Sequence, residues 1–183
     1  MMKTAIEVIS SLLQMFIWTG FITKFLDFKK DCKIYKIGFW VMWVIAFVQI
    51  YFINQIVLYD GLLTGMIVLT YFLYARSCLK GNYQYQLFLI LLSTAILFTL
   101  SSVVILFMAY LCGVTTEDLI GDFTYRRVIV ICLCRVLEFY IYKAIIKINT
   151  EYKLTKKEWI LFTIMPLLTW IGVTIIMKVT LYY

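Results

Sequence analysis

Six stretches of the chain are almost wholly apolar and long enough to cross a hydrocarbon layer of about 30 Å, which takes roughly 20 helical residues. They cover about 5–26, 37–58, 61–77, 86–112, 128–147 and 159–181. Between them the polar residues fall in short clusters, with no internal repeat, low-complexity tract or linker, so the pattern predicts one all-α domain over 1–183. The expected architecture is a polytopic bundle of about six transmembrane helices. The first stretch is long, is interrupted by Glu7 and lacks a small-residue cleavage site before its lysine cluster. It therefore reads as a spanning helix and not as a cleavable signal.

Composition sharpens this picture. Of 183 residues, 64% are hydrophobic and 15% charged, whereas a soluble domain carries about 25% charged residues. Most of the surface is thus expected to face lipid. The formal charge of +7 does not point to nucleic acid, because the basic residues cluster between apolar runs and form no stripe along a soluble element. Lys24, Lys29, Lys30, Lys33 and Lys36 follow the first stretch, Arg76 and Lys80 the third, and Lys143, Lys147, Lys153, Lys156 and Lys157 the fifth. Twelve of the seventeen basic residues thereby share one side. The opposite side holds Lys3, Arg126, Arg127 and Lys178 with Asp60, Glu117, Asp118 and Asp122. The positive-inside rule then places both termini outside the cell.

The chemistry is sparse. There is no histidine, which removes the usual triads, dyads and zinc sites. No phosphate-binding glycine loop occurs, and of the acids only Glu138 lies deep in a stretch. The five cysteines (Cys32, Cys78, Cys112, Cys132, Cys134) form no CxxC pair and read as packing residues. The expectation is a protein that is not an enzyme and carries no cofactor or metal.

The residues that stand out are few. Arg135 and Glu138 in the fifth stretch are three apart and share a helix face as an intramembrane ion pair. This pair reads either as a ligand-coupling switch or as a self-neutralising structural element. Gln49, Asn54, Gln55 and Asp60 near the second-to-third turn, with Glu117, Asp118 and Asp122 in the longest outer loop, are the candidate ligand-binding residues. For that loop, a helix-capping turn beginning at Thr115 or Thr116 explains the same residues. Gly61 and Gly65 form a small-xxx-small pair that suits close helix packing, and Pro166 is expected to kink the sixth stretch.

In order and texture the chain resembles the membrane sensor region of GHKL-type peptide-quorum-sensing histidine kinases of Gram-positive bacteria. The likeness rests on Phe52-Ile53-Asn54, Tyr59-Asp60-Gly61, Leu79-Lys80-Gly81-Asn82, Glu117-Asp118-Leu119, Tyr125-Arg126-Arg127 with Arg135 beyond it, Glu158-Trp159 and Ile164-Met165-Pro166. The resemblance implies a multi-pass protein of the bacterial cytoplasmic membrane. It implies a sensor that binds a secreted peptide, works as a homodimer and signals through helix rearrangement. The sequence holds no phospho-accepting histidine, ATP-binding motif or kinase domain. It thus corresponds to an excised sensor region or to a stand-alone protein that reuses the architecture. Two other readings stay open: the substrate-binding subunit of a modular vitamin transporter, and a small immunity, assembly or other interaction protein that contacts another membrane protein.

The orientation is directly testable. Single cysteines placed across 149–157 should react with a membrane-impermeant reagent only after the cytoplasmic side is opened, and labelling of intact cells would contradict the assignment.

Overall fold

The computed structural model describes residues 2–29, 33–56, 61–120 and 124–148, together with 164, 168, 171, 172 and 175. Within the described residues the chain is helical apart from short turns. The long helices are α1 (Met2–Leu26), α2 (Lys33–Ile56), α3 (Gly61–Cys78), α4 (Tyr83–Cys112) and α6 (Tyr125–Ile148), and the short α5 (Thr116–Ile120) joins α4 to α6. The sole proline lies at position 166, so no backbone donor is lost in any of them. Of the predicted 159–181 stretch the five described positions are all helical; Pro166 itself lies outside the described residues.

Several helices begin before their apolar runs do. α6 starts at Tyr125 and includes Arg126 and Arg127 in its first turn, and α4 starts at Tyr83 within Tyr-Gln-Tyr-Gln. Arg and Gln are good helix formers, so loss of hydropathy does not end the helix there. Specific caps do. α1 stops at Asp27, which takes a left-handed φ of 58° that Asp tolerates better than most residues. α4 stops at Gly113, also left-handed at φ 60°, where the Gly113 and Val114 amides donate to Tyr110 and Ala109, a C-terminal cap of the kind glycine favours. Thr115 and Asp118 start α5 as a capping box: the Asp118 amide donates to Thr115 Oγ1 at 3.1 Å, and the Thr115 amide donates to Asp118 Oδ2 at 3.3 Å.

The helices alternate in direction. Phe16 meets Phe39 while Leu12 accepts from Trp43, so α1 and α2 run antiparallel. Gln49 meets Thr70 across α2 and α3. Ser93 meets Tyr142, and Val104 and Ile105 join Val130 in one cluster, so α4 and α6 are antiparallel as well. α1 is parallel to α6, with Glu7 on Arg127 near one end and Phe21 stacked on Tyr142 near the other. α1 packs against all four other long helices, which form an arc in the order α2, α3, α4, α6. Its buried face repeats at helical spacing as Ser11, Gln14, Met15, Trp18, Thr19, Ile22, Thr23 and Leu26.

Alternation gives the bundle two chemically different ends. One end carries exposed Lys24, Lys29, Lys33, Lys36, Arg76, Lys80, Lys143 and Lys147, with Asp27 as the acid described among them. Here the α1–α2 and α3–α4 connections are tied together. Phe28 and Leu79 form an antiparallel bridge, the Lys29 amide donates to Cys78 at 3.0 Å, and the Lys80 amide donates to Asp27 at 2.9 Å. Buried Gln86 secures the same corner by donating through Nε2 to the carbonyls of Ala75, Leu79 and Lys80 at 3.0–3.2 Å.

Polar side chains are set into the apolar interior, and large apolar ones are exposed outside. The interior holds Ser11, Gln14, Thr19, Thr23, Gln86, Ser93, Thr94, Ser102 and Glu138, while Trp40, Val44, Leu69, Leu73, Phe107, Val136 and Phe139 are each about half exposed on the outside. Two helices, Ala5–Leu26 and Tyr83–Cys112, are long and apolar enough to cross a membrane.

Gln86→Leu should strip the donor from this corner and cost about 1–3 kcal/mol, the penalty for unmaking buried hydrogen bonds. Unfolding in detergent measures it, and an unchanged midpoint would contradict the role.

Candidate functional site

The inward face of α6 reads Val130, Cys134, Glu138 and Tyr142, four residues apart. Val130 and Cys134 belong to an apolar cluster with Val104, Ile105, Ala109 and Leu119. Tyr142 belongs to a larger cluster built on Met15, Trp18, Phe21, Tyr71, Leu89 and Ile90. Glu138 sits at the junction between them, 1% exposed.

Its partner is Arg135, whose Nη1 donates to Glu138 Oε2 at 2.6 Å. The pair is incomplete. Glu138 Oε1 and Arg135 Nε are both buried and have no hydrogen-bond partner among the described residues. The same holds for Ser102 Oγ on α4. The buried Tyr71 and Tyr142 hydroxyls are engaged elsewhere. Tyr142 donates to the Ser93 carbonyl at 2.9 Å, and Tyr71 shares a hydrogen bond of 2.8 Å with Thr19.

These bonds are part of a lattice that holds the four helices in register. Trp18 Nε1 donates to Ser93 Oγ at 2.7 Å, and Ser93 Oγ in turn donates to the Ile90 carbonyl. Thr23 and Tyr74 hydroxyls pair at 2.9 Å. Trp18 lies against Tyr71 with ring centroids 4.5 Å apart, and Phe21 stacks on Tyr142 at 4.2 Å. At the far end Arg127 Nη2 donates to Glu7 Oε1 at 3.1 Å. A charge pair with unpartnered atoms among the described residues therefore sits inside a core crossed by side-chain hydrogen bonds.

Of the predicted ligand-binding residues, Gln49 and Asp118 have described side chains, one on α2 and the other on α5. Gln49 Nε2 donates to Thr70 Oγ1 at 2.9 Å across the α2–α3 seam, and Gln49 Oε1 is buried with no partner among the described residues. Asp118 caps α5 through Thr115, and α5 packs on α4 and α6. Asn54 and Gln55 are in α2 and Glu117 is in α5, but their side chains lie outside the described residues, as do Asp60 and Asp122 entirely. Of the Gly61/Gly65 pair, Gly61 opens α3, and among the described residues nothing lies within 4 Å of the Cβ position at Gly65. The close approach is at Gly38, where a Cβ would stand 2.9 Å from Cys78 Sγ.

Sequence reasoning found the ion pair and missed the lattice around it. The available signal was on α1, where Ser11, Gln14, Thr19 and Thr23 line one helical face of an apolar run. Among the described residues no three His, Cys, Asp or Glu side chains gather as a metal site.

Arg135→Leu alone should destabilise the bundle by about 3–5 kcal/mol, because it strands a buried carboxylate. Arg135→Leu with Glu138→Leu removes both charges and should recover most of that loss. Denaturant unfolding of the three proteins checks the order, and a double variant as unstable as the single one would contradict it.

Compared with known family models, curated proteins and solved structures, the chain finds no match.

Proposed function

We propose that this chain is a multi-pass integral membrane protein of about six spans, with its basic end in the cytoplasm and both termini outside. On this reading it acts as a receptor or sensor for an extracellular, peptide-like ligand and signals by helix rearrangement. The single observation that carries the sensor role is the half-satisfied Arg135–Glu138 pair at the junction of two apolar clusters. A charge at the centre of a bilayer costs about 2.5–3.5 kcal/mol on insertion scales. Retaining two of them with atoms unpaired suits an element that changes partners between two states. The resemblance to peptide-sensing kinase sensor regions points the same way.

Three features support the membrane setting. Apolar side chains cover much of the outside, and hydroxyls, amides and a carboxylate are set into the apolar interior. The long helices alternate in direction, and eight described basic residues gather at one end, as the positive-inside rule requires. The outer end carries the Glu7–Arg127 pair and the capped α5, where an arriving ligand would bear on the starts of α1 and α6.

The test is to purify the chain with whatever accompanies it, determine its oligomeric state, and add secreted-peptide fractions while monitoring a spin-label distance between the outer ends of α2 and α6. A dimer whose distance changes with peptide, and a double Arg135→Leu, Glu138→Leu variant that binds without changing, is the expected result. A co-purified vitamin would instead identify a transporter subunit. Stable co-isolation of another membrane protein with no ligand would identify an interaction module.

A further inference from the structure

The bridged corner at the basic end has an unusual combination of features. Two connections far apart in sequence are tied by the Phe28–Leu79 bridge and its two backbone hydrogen bonds. The bridge sets Lys29 opposite Cys78 and Lys80 opposite Asp27, so the two lysines lie diagonally across it, and Lys29 Nζ donates to the Arg76 carbonyl, placing its ammonium against the last turn of α3. Lys29, Arg76 and Lys80 are all exposed, and Asp27, also exposed, is the described acid beside them. The corner therefore keeps a positive balance on a fixed backbone frame.

Directly along α3 from Arg76, at helical spacing, stand Leu73, Leu69 and Met66, which are 57%, 58% and 52% exposed. They lie three, seven and ten residues before Arg76, on one outward stripe. A cationic cluster heads a continuous apolar track. Phosphate alone would use the cluster and leave the track; a nucleic acid would have no use for the track. A phospholipid uses both, its phosphate at the head and its acyl chain along the stripe.

We propose that Lys29, Arg76 and Lys80 form a binding platform for the headgroup of an anionic phospholipid whose chain lies along Leu73, Leu69 and Met66. The proposal rests on the membrane reading above and adds a specific lipid contact to it. Arg76 supplies planar donors suited to phosphate, and the two lysines supply mobile point charges. Because the frame is made of backbone hydrogen bonds, the three side chains can be replaced without dismantling it.

The experiment is native mass spectrometry of the purified chain in detergent with equal phosphatidylglycerol and phosphatidylethanolamine. The triple Lys29→Gln, Arg76→Gln, Lys80→Gln variant is compared with a control triple, Lys33→Gln, Lys143→Gln, Lys147→Gln, which loses the same charge from the same end. Each basic side chain near an anionic surface is worth about a fivefold change in affinity, so the platform variant should lose roughly tenfold or more of its phosphatidylglycerol retention. The control should keep its preference, and millimolar inorganic phosphate should not displace the lipid. Equal retention of the two lipids by the parent chain would overturn the proposal. So would an equal loss in both variants, which would reduce the effect to the net charge of that end, or displacement by phosphate. Extraction of the chain from membranes by alkaline carbonate would overturn the membrane reading itself, and the lipid platform with it.

Discussion

The bundle is organised by the hydrogen bonds that α1 makes to its neighbours. Trp18 to Ser93, Thr19 to Tyr71 and Thr23 to Tyr74 connect it to α4 and α3, and Glu7 to Arg127 connects it to α6. Where helices are surrounded by hydrocarbon, apolar contact does little to favour one helix pairing over another, because lipid tails are as apolar as leucine. Polar groups inside the bundle then specify register. Trp18, Thr19 and Thr23 each bond one partner on a neighbouring helix, which fixes how far α1 slides against α3 and α4. The parallel course of α1 and α6 and the antiparallel course of their neighbours follow from that register.

Against this lattice the Arg135–Glu138 pair is the exception, and its exceptional state is what gives it functional interest. The Tyr71 and Tyr142 hydroxyls are engaged by Thr19 and the Ser93 carbonyl, and among the described residues Glu138 Oε1 and Arg135 Nε have no partner. The two ends differ chemically as well. Charges excluded from the middle collect beyond the apolar track, and the alternating direction of the helices sorts them, with lysine and arginine beside the bridged loops and Glu7, Arg127 and the capped α5 opposite.

Five long helices were legible in the amino-acid pattern because each is a long apolar run without proline. Their edges were less so. Arg126, Arg127 and Gln84 lower hydropathy without lowering helix propensity, so hydropathy alone starts α6 and α4 too late. The Thr115–Asp118 capping box was legible, since its spacing carries its own mechanism. Arg135 and Glu138 stood out as charges in an apolar run. Their incompleteness did not, because it depends on Tyr71 pairing with Thr19 and Tyr142 with the Ser93 carbonyl on other helices. The Gly38–Cys78 approach was equally hidden.

The central claim is that the outward apolar surface meets lipid while the inward polar face is sealed from water. The most direct measurement is nitroxide accessibility along α2 of the chain reconstituted in bilayers. Labels at Val41, Val44, Ile45 and Val48, all exposed on the bundle surface, should relax strongly with oxygen and weakly with a water-soluble nickel chelate. Labels at Met42 and Ala46, which are buried, should respond weakly to both. Strong relaxation of the outward labels by the nickel chelate would show that this surface faces water, and would contradict the account.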